Sequence, residues 1–286
     1  MFSLIFRGLA TGSIYSLTAV GIVLILSTTN VMNFAQGDAG MFLTYIAFIF
    51  IVRGLNPALA LPIVILVGLI LGFVVDRGLM SKAKKSSHLG MVMITLALTM
   101  ILEGLAATLF GNIPLLFPPL IQGDPIKIGS VILDRQDFLS ITAALLIFAV
   151  LFVILYRTKI GIAARSIAED EYGAKILGIP LNKINTFIWA ISFGLAGIAG
   201  MMTAPRLSLE PTFMIVIQLK AFIAAVLGGM GSVMGAIFGG LILGVLENII
   251  AYYIPSIKDS FSLILVVTVL LFFPSGIFGK REVRRA

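Results

Sequence analysis

Few residues in this chain have chemistry to offer, and their scarcity is informative. Charged residues make up 12% of the 286 positions and hydrophobic residues 59%. Glu103 and Glu247 stand as lone carboxylates inside long apolar runs. A carboxylate at membrane depth is costly, and by default it marks a site. A polar interruption, Asn30–Asp38, breaks the apolar pattern with Asn33, Gln36 and Asp38. No regular series of Asp, Glu and His suggests a proton relay, and no arginine ladder suggests a voltage sensor. The chain has no cysteine and one histidine, His88. Thiolate metal sites, iron–sulfur clusters, disulfides and multi-histidine centres are therefore excluded. Nor is there a phosphate-binding loop. Gly279-Lys280 has Pro274 where the first glycine of that motif belongs, and Arg281 follows the lysine. Hydrolase and metalloprotease motifs are missing too. These absences point away from an enzyme. No metal site and no cofactor are expected in this chain.

The elements that must position these groups are helices in lipid. A soluble domain averages roughly 25% charged residues, and the mean hydropathy here is +1.13. Such a chain lacks the polar residues to cover a water-facing surface. A bilayer removes that need, provided each backbone polar group bonds within a helix. Apolar runs predict nine spans, with an error of one, near 4–27, 33–52, 58–76, 90–110, 138–156, 186–204, 214–230, 233–253 and 260–276. The run 4–27 reads as the first span rather than a cleaved leader, because it is longer than a signal core and no small-residue cleavage site follows. The expected fold is all-α, a polytopic transmembrane bundle of about 8–9 spans in a single domain, 1–286.

The net charge of +7 is carried largely by short loops. Arg77, Lys82, Lys84 and Lys85 share one loop. Arg157, Lys159, Arg165, Lys175 and Lys183 share another. Lys280, Arg281, Arg284 and Arg285 form the tail. These hold 13 of the 20 Lys and Arg. The positive-inside rule puts all three in the cytoplasm, the loop 111–137 outside, and the N-terminus outside. It also explains the basic charge without nucleic acid, for which no soluble basic face exists.

Three features depart from uniform hydrophobicity. The loop 157–185 is too polar to span, and its residues 162–177 read as one helix. Glu171 and Lys175 are spaced as a favourable pair, Gly178 sits where a terminating glycine belongs, and Pro180 prevents continuation. Ala163, Ala164, Ala168 and Ala174 keep its surface small. This is either a solvated connector or a docking element. Glycines recur four apart at Gly231, Gly235 and Gly239, at Gly240 and Gly244, and at Gly68 and Gly72. Gly194, Gly197 and Gly200 recur every third residue. Such spacing lets helices pack closely. Alternatively, Gly228, Gly229 and Gly231 unwind and line a path. The third feature, Asn30–Asp38, reads either as an interfacial turn or as a break lining a path.

The run IAARSIAEDEYGAKILGI resembles the cytoplasmic loop of permease subunits of branched-chain amino acid ABC transporters. The resembling residues are Arg165, Ala168, Glu169, Asp170, Ala174, Leu177, Gly178 and Ile179. The starts GLATGSIYSLTAVGIVLI and VMNFAQGDAGMFLTYIA, and the run AVLGGMGSVMGAIFGGLILGVLE, look like the same family, in the same order. The first two are more similar to the shorter, H-type subunit. The broader importer signature is met only in part, since Gly173 lies near but not at its glycine position. The resemblance implies a permease working with a second permease subunit, two cytoplasmic ATPase subunits that use the ATP, and an external substrate-binding protein. It implies a bacterial or archaeal cytoplasmic membrane and a coupling helix that docks on the ATPase. The solute would be a branched-chain or similar hydrophobic amino acid. Relatives that carry urea, amides, aromatic acids or nucleosides leave the substrate open. A self-sufficient secondary transporter and a signalling subunit are the rival readings.

Overall fold

The computed structural model describes residues 1–83, 87–121, 123–128, 131–273 and 275–279. The expected basic positions Lys84, Lys85, Lys280, Arg281, Arg284 and Arg285, and Pro274, lie outside the described residues.

Eleven α-helices follow one another among the described residues. They are α1 (Phe2–Thr29), α2 (Gln36–Val52), α3 (Pro57–Val75), α4 (His88–Phe110), α5 (Arg135–Arg157), α6 (Lys159–Glu169), α7 (Glu171–Ile176), α8 (Leu181–Thr203), α9 (Ile215–Gly228), α10 (Val233–Tyr253) and α11 (Lys258–Phe272). Six are long and apolar enough to cross a membrane by length and composition: α1, α3 with the turn after it, α4, α5, α8 and α10. The apolar helices α2, α9 and α11 are shorter. Each predicted span thus contains a helix, and the polytopic helical bundle is as expected. The loop before α5 adds a small antiparallel hairpin, β1 (Ile126–Ile128) with β2 (Val131–Leu133), pairing Ile126 with Leu133. Apolar periodicity does not signal so short a pair.

Helix ends follow local chemistry. Asn56, Ser87, Asp134, Thr158 and Ser232 cap α3, α4, α5, α6 and α10, each accepting a hydrogen bond from a backbone N–H in the first turn. Helix α1 stops at Asn30, which adopts the left-handed conformation at φ 54°.

Helices α1 and α8 form the centre, each buried over most of its length. Glycines set how closely neighbours approach. A methyl group added at Gly12 would lie 2.8 Å from the Gly240 carbonyl oxygen, and one at Gly8 2.7 Å from the Val245 Cα. Gly240 and Gly244 on α10 face α1, while Gly235 and Gly239 on the same helix face α9. Gly68 and Gly72 of α3 meet the backbone of α8. The glycine series therefore serves mainly as packing seams. Without a hydrophobic force between helices in lipid, such close contact is what holds them together.

Candidate functional site

The loop 157–185 folds as two helices, not one. The single helix expected over 162–177 is broken at Asp170, which leaves helical geometry (φ −156°, ψ 102°) to end α6 and begin α7. Helix α6 lies along the end of α5, where Gly161 packs on the backbone of Ile154 and Leu155. Ala164, Ile167 and Ala174 are buried, so both helices are seated on the bundle. The end of α7 is as the sequence indicates. Gly178 has φ +78°, its N–H donates to the Lys175 carbonyl, and the Ile179 N–H donates to the Ala174 carbonyl. Outward from this platform, Tyr172, Ile176 and Leu177 are 75%, 70% and 80% exposed.

The expected docking residues divide by position. Asp170, Leu177 and Gly178 are exposed, and Ala174 is buried beneath them. Arg165, Ala168 and Glu169, also exposed, line the mouth of a cavity of about 920 Å3. Arg165 is held there. Its Nε donates to the Leu155 carbonyl at 3.1 Å, and its guanidinium lies 4.6 Å over the Tyr156 ring. The opposite wall is the elbow between α9 and α10, through Met230, Gly231 and Ser232. Gly229 makes the elbow possible with φ +102°. The segment 275–279 closes over it. The Ile277 and Phe278 N–H groups donate to the carbonyls of Leu227 and Gly228, at 2.8 and 3.2 Å. Gly228 itself is packed on Gly235.

The polar interruption is packed into the bundle. Asn33 and Gln36 are fully buried and Asp38 nearly so. Gln36 Nε2 donates to the carbonyl of Ser192 at 2.7 Å, halfway along α8, and Asn33 Nδ2 donates to Gln36 Oε1 at 3.1 Å. Residues 31–35 are therefore non-helical backbone packed within the bundle, and its polar groups must bond to protein. Gln218 of α9 does much of this, accepting from the Gly37 N–H and donating to the Phe34 carbonyl at 2.5 Å. Thr95 of α4 accepts from the Phe34 N–H and donates to the Met32 carbonyl at 3.2 Å. Asp38, in the first turn of α2, is buried. Asn33, Gln36 and Asp38 thus share one junction. Gly228, Gly229 and Gly231 belong to the separate elbow, about 15 Å further along α9 from Gln218 at 1.5 Å per residue. None of the three junction residues lines the cavity.

Glu247 is not alone. Lys220 Nζ of α9 sits 2.6 Å from its Oε1, and the Tyr15 hydroxyl donates to its Oε2 at 2.8 Å. Lys220 also donates to Ser262 of α11 at 3.0 Å. Four helices meet in this buried network. Gln218 and Lys220 escape notice in the sequence because they sit singly in an apolar run. Their one signal is that a lysine inside a predicted span needs a partner. At the other end of α5, Arg206 pairs with Asp137 at 2.6 Å. Three buried polar atoms lie on one face of α8 without a hydrogen-bond partner: Asn185 Oδ1, Trp189 Nε1 and Ser192 Oγ. Among the described residues, no group of three or more His, Cys, Asp or Glu could hold a metal ion.

A helical bundle with its longest polar loop folded onto one end, a broken helix inside, and glycine seams is the architecture of a polytopic membrane protein. Residues 4–273 match the family model described as "Branched-chain amino acid transport system / permease component". The chain belongs to that family. It is 32% identical over 280 residues to a probable branched-chain amino acid transport permease protein LivH of Methanocaldococcus jannaschii, covering 92% of this chain and 88% of the relative. It is 29% identical to the high-affinity branched-chain amino acid transport system permease protein LivH of Salmonella typhimurium, covering 98% and 96%. Among solved structures, PsaBC from Streptococcus pneumoniae in complex with Fab is similar in fold, with a TM-score of 0.50 at 18% identity over 93% of this chain and 89% of that one. The family and the H-type relatives agree with the resemblance carried by the sequence motifs.

Proposed function

We propose that this chain is a membrane-spanning permease subunit of an ATP-driven importer, and that it moves branched-chain or similar hydrophobic amino acids into a bacterial or archaeal cell. The observation that carries this reading is the family match over residues 4–273. The nature of its relatives supplies the solute class. In the assembly, a second permease completes the pathway, two cytoplasmic ATPases supply the work, and an external binding protein delivers solute. This chain takes no nucleotide and no cofactor itself. The end bearing α6 and α7 faces the cytoplasm, as does the tail.

The docking surface is the pair α6–α7. Tyr172, Ile176 and Leu177 form an exposed apolar edge beside the acidic residues Asp170 and Glu171, a combination suited to a cleft on a partner. Closure of the ATPase pair would push this platform against α5, on which α6 is packed through Gly161. The elbow at Gly229 and the broken segment 31–35 are where helices interrupted within a bundle can adjust while their neighbours stay rigid. Tagged chain co-expressed with its genomic neighbours should co-purify with an ATPase pair, a second permease and a soluble binding protein. Purified chain that alone moves solute down an ion gradient in liposomes would overturn the assignment.

A further inference from the structure

The cavity of about 920 Å3 between α6 and the α9–α10 elbow has two kinds of wall. Val226 of α9 and, at the elbow, Met230 and Val233 are apolar. Arg165 and Glu169 bring opposite charges from one face of α6, four residues apart. A mostly apolar chamber with a few fixed polar groups is the usual form of a small-molecule site. The Arg165 side chain is fixed by Leu155 and Tyr156, and a guanidinium is well matched to carboxylates. A carboxylate such as Glu169 has several acceptor positions, so it can take a further donor alongside a contact within the chain.

We propose that this cavity binds, from the inner end, a small zwitterion with an apolar side chain. Its carboxylate lies on Arg165, its ammonium group on Glu169, and its side chain among Val226, Met230 and Val233. The proposal rests on the amino-acid reading above and adds an inner site to it. A simple anion would use Arg165 but leave Glu169 opposed. The apolar walls would gain nothing from a fully polar solute. Because the occupant touches both α6 and the elbow, it resists their relative motion. Solute accumulated inside therefore slows the ATPase.

The test uses the assembled importer in nanodiscs, without its external binding protein, and radiolabelled L-leucine. Saturable binding is expected, with parallel inhibition of basal ATP hydrolysis. L-leucinol, which lacks the carboxylate, and 4-methylpentanoate, which lacks the ammonium group, should each compete roughly tenfold or more weakly, as loss of a charged hydrogen bond implies. Met230→Trp, which fills the chamber, should abolish binding. The analogue series on the unaltered protein decides the matter even if that variant misfolds. Absence of saturable binding, or equal competition by all three compounds, overturns the inference. Binding-protein-dependent leucine uptake, measured on the same preparation, separates the two readings. Uptake without inner binding removes the inner site alone, whereas absence of both removes the amino-acid reading as well.

Discussion

Lys220 Nζ lies 2.6 Å from Glu247 Oε1, and both side chains are almost fully buried. With Tyr15 and Ser262 on the same two groups, the pair joins α9 and α10 to α1 and α11. Removing one partner of a buried pair leaves an uncompensated charge and costs about 3–5 kcal/mol. Lys220→Met and Glu247→Leu should each lower the thermal unfolding midpoint of the detergent-purified protein sharply. The double variant should recover much of that loss, because a hydrophobic pair can replace a buried ion pair. Additive losses in the double variant would show that the two groups do not act as a unit.

Gln218 holds the broken segment together. Gln218→Leu leaves the Gly37 N–H and the Phe34 carbonyl buried without that partner, at about 1–3 kcal/mol for each unsatisfied group. Gln218→Glu keeps an acceptor for Gly37 but sets a buried carboxylate against the Phe34 carbonyl, so its loss should match or exceed that of Gln218→Leu. The thermal midpoints of the three proteins check this order.

The sequence made the nine apolar segments legible because twenty-odd apolar residues have few other uses. The predicted span 90–110 coincides closely with α4 at His88–Phe110. Gly178 announced its own left-handed turn. Asp170 did not announce its break, because a single aspartate inside a helical pattern is also tolerated as a surface position. The junction was half visible. Asn33, Gln36 and Asp38 stand out as a polar run, but Gln218 and Thr95 come from distant segments and only the fold brings them there. Lys220 and Glu247 are 27 positions apart, a spacing with no helical or strand meaning.

The seam between α1 and α10 leaves no room for side chains. Gly12→Val forces branched carbons against the Gly240 carbonyl and the Leu241 Cα, and overpacking of this kind costs about 1–3 kcal/mol or more. The yield of monodisperse protein should fall strongly for Gly12→Val. It should be little changed for Gly104→Val, where an added methyl meets nothing within 4 Å. Equal yields would contradict the seam.

The docking edge of α7 predicts loss of coupling without loss of folding. Tyr172 and Leu177 are exposed, so Tyr172→Asp with Leu177→Asp should leave membrane insertion and thermal stability unchanged. Asp170→Ala with Glu171→Ala should likewise insert normally and lower transport-coupled ATP hydrolysis. If stimulation and uptake both stayed at wild-type levels in all of these variants, the platform would not be the docking element.

The most direct test of the central claim is leucine accumulation in proteoliposomes holding this chain with its co-purified permease and ATPase partners. The account predicts accumulation that requires ATP inside and binding protein outside, and that falls to background with Tyr172→Asp and Leu177→Asp. Accumulation by this chain alone, driven by an ion gradient and indifferent to ATP, would contradict it.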